Sequence, residues 1–176
     1  MVVVIFYSLL NTIINDNPRL TCGLDGAPRQ PIRVVLDTTL QINSTYNVIK
    51  NTDTKTIIIT GSKYNSKNAE ILQQYSHVEL IHLNTPVINL PVALHELGKR
   101  NITSILVEGG QKVHNSFIDS QLFNEIVIYI APKLIGGADA PAFFNGIGFD
   151  KLEQALQLKF TEVKCMGTDI KIIATR

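Results

Sequence analysis

The segment best suited to chemistry runs over residues 104–115, with the sequence SILVEGGQKVHN. A β-branched run ends there in Glu108, two glycines follow, and a helical pattern then begins. Backbone N–H groups at a helix N-terminus have no partner within the helix, so such a turn can bind a phosphate or pyrophosphate. Lys112 and His114 would add charge and hydrogen-bond donors. Many βα turns that bind nothing share this pattern, so the segment predicts either a cofactor phosphate site or a plain tight turn.

Polar residues also follow two other predicted strands. Asp37 and Thr38 come after the run at 32–36, and Thr60 ends the run at 56–60. Ligands of open α/β sheets bind at the edge formed by the carboxyl ends of parallel strands, where Glu108 is also expected. A pocket is therefore predicted at this edge, although Glu108 could equally cap the helix that follows it.

Two further segments leave alternatives open. Residues 12–22 (TIINDNPRLTC) collect hydroxyl, amide and carboxylate groups around Pro18, and such clusters either satisfy loop backbone or bind a ligand. The glycine-rich stretch at 136–141 is either a lid or a plain connection. Neither hydrolysis nor metal chemistry has support, because no catalytic triad or metal-ligand set can be assembled from the four scattered histidines, which are His77, His82, His95 and His114.

Short apolar runs alternate with helical patterns over the first two thirds of the chain. Continuous β-branched runs predict buried strands at 2–6, 32–36, 56–60, 78–81 and 104–107. Apolar residues at helical spacing predict helices at 8–16, 69–75, 90–100 and 111–118, and the polar stretch at 41–55 predicts a loop. The alternation favours a mostly parallel sheet with helices on both faces.

The last third of the chain has a different pattern. A strand is predicted at 125–130, and a glycine-rich loop follows at 136–148. Residues 156–163 and 169–174 alternate with period two, which predicts a final antiparallel hairpin joined at 166–168. No repeat or linker marks a boundary, so residues 1–176 are expected to form a single α/β domain with a mixed, mostly parallel sheet.

Composition argues against several classes of function. With 176 residues and 45% apolar content, the chain is long enough for one core, and the formal net charge of +1 provides no broad attraction to nucleic acid or to a membrane surface. Cys22 and Cys165 are the only cysteines, and neither a CxxC motif nor a signal peptide is present. These features predict a cytoplasmic protein with reduced thiols. The apolar run at 1–10 is too short to span a bilayer.

Four stretches in order along the chain resemble one family, and the match continues through GIGF at 146–149 to GTDIKI at 167–172. They are NTIINDNPRLTC at 11–22, PIRVVLDT at 31–38, ILVEGG at 105–110 and IAPKLIGG at 130–137. The chain therefore resembles the C-terminal reductase domain of the bifunctional deaminase/reductase of riboflavin biosynthesis, whose fold is like that of dihydrofolate reductase. The resemblance covers the chain from about residue 10 to its end.

This resemblance implies hydride transfer from NADPH to C1′ of 5-amino-6-(5-phosphoribosylamino)uracil, which opens the ribose to a ribityl group. It places Leu20 and Glu108 against the substrate and assigns no proton donor. It implies a homodimer or higher homo-oligomer. The residues expected to face NADPH are Thr12, Asp16, Gly110, Gln111, Lys112, Val113, His114, Asn115 and Ser116, with Thr60 as a weaker candidate.

The sequence departs from the family pattern in several places. Gly23 stands where an arginine usually reaches the substrate phosphate, and Arg19, Arg29 or Arg33 would have to substitute for it. The resemblance also implies a further strand and helix before Met1, a glycine in place of Leu9, and a deaminase half with zinc motifs that this sequence lacks.

Two alternatives follow from these departures. One is a truncated, non-catalytic fragment that keeps the fold and the oligomer interface. The other is a related reductase of the dihydrofolate reductase type that acts on another pterin or pyrimidine, which the VEGG and APKLIGG motifs disfavour.

Overall fold

The computed structural model describes residues 3–8, 13–14, 16–23, 29–137, 140 and 142–176. These residues form two compact units, Met1–His114 and Asn115–Arg176. None of the described helices is both long enough and apolar enough to cross a membrane.

The first unit is built on a five-stranded parallel sheet. Its strands are β1 (Val3–Ser8), β2 (Ile32–Leu36), β3 (Thr56–Thr60), β4 (Val78–His82) and β5 (Ser104–Gly109), in the spatial order β4-β3-β2-β1-β5. All four pairings are parallel, and β1 pairs with β2 on one side and with β5 on the other. The carboxyl ends of the five strands therefore meet at one edge, as the sequence predicted.

The strands form where β-branched residues are consecutive, because such side chains suit a pleated surface buried on both faces. All five residues of β3 are buried. The predicted bounds of β2 and β3 are confirmed. Strand β5 extends two residues beyond its predicted end at 107, because Glu108 and Gly109 pair with Tyr7 and Ser8 of β1.

Helices follow several of these strands, and those with described bounds are α1 (Asn47–Lys50), α2 (Ser66–Leu72), α3 (Leu90–Gly98) and α4 (Gln111–Asp119). Helix α2 begins three residues before its predicted start because the Asn65 side chain accepts a hydrogen bond from the backbone N–H of Asn68 and caps the helix. Asn89 caps α3 in the same way, through the N–H of Val92.

The prediction of a loop throughout 41–55 is wrong, because α1 lies within that stretch. A single helical turn is too short to show helical periodicity in the sequence. It forms because Val48 and Ile49, both fully buried, join the core of the first unit. That core cluster also contains Ile13, Leu20, Val35, Leu40, Ile42, Ile58, Ala69 and Leu72.

The second unit contains a three-stranded antiparallel sheet. Its strands are β6 (Glu125–Ile130), β7 (Lys159–Met166) and β8 (Asp169–Thr175), in the order β6-β8-β7, and a short 3-10 helix (Leu152–Gln154) precedes β7. Gly167 has a φ of +66°, which suits the tight turn between β7 and β8. The predicted final hairpin is confirmed, although β7 begins at Lys159 rather than at 156. Within the described residues, parallel and antiparallel strands lie in separate sheets, and this combination confirms the predicted fold class.

Candidate functional site

Backbone hydrogen bonds connect the loops that leave β2, β3 and β4 at the carboxyl edge. The N–H of Gly61 donates to the carbonyl of Thr38 at 2.9 Å, and the N–H of Ser62 donates to that of Thr85 at 2.8 Å. A Cβ at position 61 would lie 2.6 Å from the carbonyl oxygen of Pro86, so only glycine fits this crossing. The edge is thus a fixed surface rather than a set of independent loops.

Asp37, which follows β2, organises its own loop. Its side chain is 2% exposed, and its Oδ2 accepts a hydrogen bond from the backbone N–H of Ile42 at 2.8 Å. Burial raises the pKa of Asp37, and hydrogen bonds from backbone N–H groups, first that of Ile42, oppose the rise. This carboxyl group is therefore buried and accepts hydrogen bonds from the loop that it closes.

Thr60, a predicted cofactor contact, is fully buried at the end of β3. Its Oγ1 lies 3.1 Å from the carbonyl oxygen of Gly61 and 2.8 Å from Nδ1 of His82. His82 ends β4, is exposed, and stacks on Tyr64 with ring centroids 4.0 Å apart and planes 10° from parallel. The Thr60 hydroxyl is thus bonded to groups of the protein, while His82 lies at the surface.

Glu108 and α4 form the other end of the edge. Glu108 is exposed at the carboxyl end of β5, directly across from Tyr7 of β1. Gly110 precedes the helix, and its carbonyl accepts a hydrogen bond from the N–H of Val113 at 3.0 Å. The first turn of α4 contains no acidic residue. Apart from Glu108, which precedes the turn, no acidic residue therefore offsets the positive end of the helix dipole within the first turn, and this end favours an anion, the kind of ligand that the sequence predicts for this turn.

The residues of α4 differ in how they are placed. Val113 is 4% exposed, whereas Lys112 and Ser116 are exposed and Gln111 and His114 are half-buried.

Asn115 exchanges two hydrogen bonds with Asn145 in the second unit. Asn115 Nδ2 donates to Asn145 Oδ1 at 2.8 Å, and the backbone N–H of Asn145 donates to Asn115 Oδ1 at 3.1 Å. Two of the predicted cofactor contacts at 110–116 therefore have structural roles. Val113 is buried, and the Asn115 side chain is hydrogen-bonded to Asn145.

The structure describes only part of the segment before β2. Thr12 lies outside the described residues. Asp16 is exposed on a helical turn that the hydrogen bond from Asn17 N–H to Ile13 carbonyl closes at 3.0 Å. Leu20 has a φ of +50° and a side chain that is 7% exposed within the core cluster, so only its backbone remains for the predicted substrate contact.

Arg33 does not replace the missing arginine at position 23. Its guanidinium is fully buried and donates to the carbonyl of Asn51 at 2.8 Å and to Asn51 Oδ1 at 2.7 Å. A third hydrogen bond reaches the carbonyl of Val48 at 3.3 Å. The prediction that Arg33 could bind the substrate phosphate is therefore wrong, because its guanidinium donates to carbonyl groups of the protein instead. Arg19 and Arg29 are exposed, and a Cβ at Gly23 would meet no atom within 4 Å.

No pattern in the sequence predicts a role for His82 or Tyr64. His82 directly follows the predicted strand at 78–81. This position at the end of a strand is the sequence feature that could have pointed to it. Within the described residues, no group of three or more His, Cys, Asp or Glu side chains is placed to hold a metal ion.

Comparison with known protein families gives one match over most of the chain, the RibD C-terminal domain over residues 2–172. The riboflavin biosynthesis protein RibD of Bacillus amyloliquefaciens is 38% identical over 163 residues, which cover 93% of this chain and 44% of that protein. The chain thus spans less than half the length of this relative.

Two further relatives extend the comparison. The 2,5-diamino-6-ribosylamino-4(3H)-pyrimidinone 5′-phosphate reductase of Methanothermobacter thermautotrophicus is 28% identical over 163 residues, which cover 92% of this chain and 74% of that protein. The solved structure of Acinetobacter baumannii RibD superposes with a TM-score of 0.76 at 26% identity, and the match covers 99% of this chain and 46% of that one.

Proposed function

Because this chain belongs to the family of RibD C-terminal domains, we propose that it is a pyrimidine reductase of riboflavin biosynthesis. Its substrate in this proposal is 5-amino-6-(5-phosphoribosylamino)uracil and its product the ribitylamino compound. The observation that carries the proposal is the family match over 2–172 together with an exposed Glu108 that leads directly into the N-terminus of α4.

The N-terminus of α4 suits the phosphates of a nicotinamide dinucleotide. Gly110 caps the helix, the first turn has no acid, and Lys112 adds a cation on the exposed side. The positive end of the helix dipole favours a phosphate there. Bound NADPH would supply the hydride for C1′ of the substrate. We assign NADPH rather than NADH from the family resemblance.

Glu108 is suited to orient the substrate. Its carboxylate is exposed beside the helix start and can accept hydrogen bonds from ribose hydroxyls, which fixes C1′ relative to the cofactor. As the new C1′–H bond forms, the bond between C1′ and the ring oxygen breaks, and that oxygen takes up a proton. Orientation of the reacting carbon relative to the hydride donor lowers the barrier of such a step.

The lack of an obvious ligand for the substrate phosphate supports a second candidate function. Gly23 provides no guanidinium and Arg33 is buried, so Arg19 and Arg29 are the remaining exposed arginines of this region. A chain without a phosphate ligand would keep the fold and bind substrate weakly. This observation favours the second candidate, a non-catalytic member of the family.

Exposed apolar side chains on the second unit support a homo-oligomer. Strand pairing places Ile130, Ile170, Phe160 and Val163 on one face of the antiparallel sheet, and their exposed fractions are 48%, 39%, 66% and 63%. Neighbouring exposed apolar groups of this kind mark association surfaces. We propose that this face is buried between copies of the chain. Two free cysteines, Cys22 and Cys165, support a reducing cytoplasmic location.

Calorimetric titration of the purified chain with NADPH and with NADH, followed by a turnover assay with the pyrimidine substrate, tests this function. We expect saturable NADPH binding and loss of NADPH absorbance on addition of substrate. Glu108→Ala should keep NADPH binding and lose turnover by about 100-fold or more, because it removes an orienting group. NADPH binding without turnover at any substrate concentration would favour the non-catalytic candidate, and no NADPH binding would reject both the cofactor and the reaction.

A further inference from the structure

Strand β7 is an open edge of the antiparallel sheet. In the order β6-β8-β7 it pairs with β8 on one side, and none of the described residues pairs with its other side. It has eight residues, more than the roughly 5–6 of a typical strand, and all of them except Glu162 are exposed. Alternate residues of an edge strand direct their backbone N–H and C=O groups outward, so β7 is able to accept a further strand.

We propose that this further strand is β7 of a second copy of the chain, paired antiparallel about Val163. Two sheets of three strands would then join into one sheet of six. The inference rests on the homo-oligomer of the proposed function and deepens it, because it names a contact between the copies. It does not depend on the reaction.

Symmetry restricts the registers that are open to the pair. Two identical antiparallel strands of one sheet are related by a two-fold axis perpendicular to the sheet, so one residue must lie opposite its own copy. Thr161 is unsuited to that position, because it lies at the register shift between Phe160 and Glu162. Cys165 is unsuited as well, because β7 ends at Met166 and the pairing would cover only three residues of each strand.

Charge decides among the three residues that remain. An axis at Glu162 places two carboxylates opposite each other, and an axis at Lys164 places two ammonium groups opposite each other. Like charges directly opposite are destabilising. An axis at Val163 places valine opposite valine, and it places Glu162 of each copy opposite Lys164 of the other. The strand is therefore complementary to itself in the register centred on Val163.

The pairing within one chain leaves Lys164 in need of an acidic neighbour. Lys164 lies directly opposite Lys171 of β8, which is an unfavourable pairing of like charges. Glu162 Oε1 contacts Lys171 Nζ at 3.0 Å, so within the chain this carboxylate is already bound to the second lysine. In the proposed register, Glu162 of the other copy supplies a carboxylate beside Lys164.

The pairing also extends the apolar face of the second unit. Because the axis is perpendicular to the sheet, the faces that carry Ile130, Ile170, Phe160 and Val163 lie on the same side of the joined sheet. Val163, which is 63% exposed in the single chain, would be covered in part by its own copy. Edge pairing and burial of the apolar face are thus separate contacts, which different variants can break.

Cysteine cross-linking tests the register. In the full chain with Cys22→Ser and Cys165→Ser, which removes both native thiols, Val163→Cys is compared with Phe160→Cys. Positions 163 and 160 lie on the same face and are exposed to 63% and 66%. Opposite residues of an antiparallel pair have Cα atoms about 4.5–5.5 Å apart, within the range of about 4.4–6.8 Å that a disulfide allows. In oxidised glutathione we expect Val163→Cys to form disulfide dimers at least about tenfold faster than Phe160→Cys, and equal rates would reject the register.

Charge reversal tests the pairing without a cross-link. Lys164→Glu should raise the Kd of the dimer at least about tenfold in sedimentation equilibrium, because Glu162 of each copy would then face a carboxylate. The same change puts an opposite charge beside Lys171, so it should not weaken the pairing of β7 with β8 within the chain. Glu162→Lys should also weaken the dimer, and the double variant should return to within about threefold of wild type. A double variant that associates no better than the single variants would reject the paired charges.

The outcomes separate this inference from the proposed function. A wild-type oligomer in which Val163→Cys cross-links no faster than Phe160→Cys would reject the edge pairing and leave association through the apolar face. A wild type that stays monomeric up to the highest concentration measured would reject both contacts. NADPH binding and turnover are measured separately, and neither result changes what they say about the reductase assignment.

Discussion

Asn17 and Asn47 hold each other through two hydrogen bonds between the segment before β2 and the start of α1. The backbone N–H of Asn47 donates to Asn17 Oδ1 at 2.7 Å, and Asn47 Nδ2 donates to the carbonyl of Asn17 at 2.6 Å. Asn17 has a φ of +42°, a conformation that asparagine tolerates better than most residues. The pair thereby fixes the turn that leads from Asp16 to Leu20.

Breaking this pair should destabilise the protein. Asn47→Ala is expected to lower the free energy of unfolding by about 1 kcal/mol, because the hydrogen bond from Asn47 Nδ2 to the carbonyl of Asn17 is lost while the backbone N–H of Asn47 still donates to Asn17 Oδ1. Asn17→Gly removes the other hydrogen bond without backbone strain and should cost a similar amount. Because each side chain bonds the backbone of the other residue, the two effects should roughly add in the double variant. Urea denaturation of the four proteins measures these effects. Single variants that are both as stable as wild type would mean that the pair does not stabilise this turn.

Arg33 should prove to be a structural residue. Arg33→Met is expected to lower the free energy of unfolding by about 1–3 kcal/mol, because the carbonyl of Asn51 would lose its guanidinium donor. The carbonyl of Val48 would keep only the hydrogen bond from Thr56 Oγ1. NADPH affinity, measured by calorimetry on the folded variant, should not change. A variant that stays as stable as wild type but shows a raised KM for the phosphorylated substrate would instead identify Arg33 as a phosphate ligand.

Gly23→Arg should improve substrate binding. Position 23 is exposed, and a Cβ there would meet no atom within 4 Å. A guanidinium that pairs with the substrate phosphate is expected to lower KM about tenfold with little change in kcat.

Gly98→Arg is the matched control for that experiment, because it adds the same charge at another open glycine, the end of α3. Equal effects of the two variants on KM would show that only net charge matters, and a Gly23→Arg variant with unchanged KM would place the substrate phosphate elsewhere.

The buried carboxyl group of Asp37 should make stability depend on pH in a defined direction. Its pKa is raised above 3.8, chiefly by burial, so the folded state takes up the proton at a higher pH than the unfolded state does. The resulting stabilisation is fully present below pH 3.8 and is lost as the pH rises through the folded pKa.

Asp37→Asn removes this titration while it keeps an oxygen that can accept the Ile42 N–H. The free energy of unfolding of wild type minus that of Asp37→Asn is therefore expected to increase as the pH falls from about 7 to about 4, in denaturant titrations at each pH. A difference that stays constant or shrinks over this range would mean that burial does not raise the pKa of Asp37.

The parts of the fold that the sequence predicted are those set by local pattern. The bounds of β2, β3 and β6 were predicted because each is a continuous run of residues that favour strands. The carboxyl edge followed from the parallel order, and the turn at Glu108 and Gly110 followed from local composition. Helix α1 was missed because its two buried residues make too short a pattern.

The parts that were missed depend on contacts between distant residues. Thr60 reaches His82 because the register of β3 and β4 pairs these two residues across the strands, and a single chain gives no information on register. Asn115 is bonded to Asn145, 30 residues away, and not toward the cofactor edge. Leu20 turns into the core because its backbone is left-handed, a conformation that its residue type does not indicate.

The most direct test of the central claim is NADPH binding to variants of Gly110, at the start of α4. Aspartate and asparagine both cap helices well, so Gly110→Asp and Gly110→Asn should fold with similar melting temperatures. They differ by one negative charge next to the proposed phosphate site. We expect Gly110→Asn to bind NADPH within about tenfold of wild type and Gly110→Asp to bind at least about tenfold more weakly than Gly110→Asn. Equal NADPH affinity in wild type and both variants would contradict the claim that the N-terminus of α4 holds the cofactor phosphates.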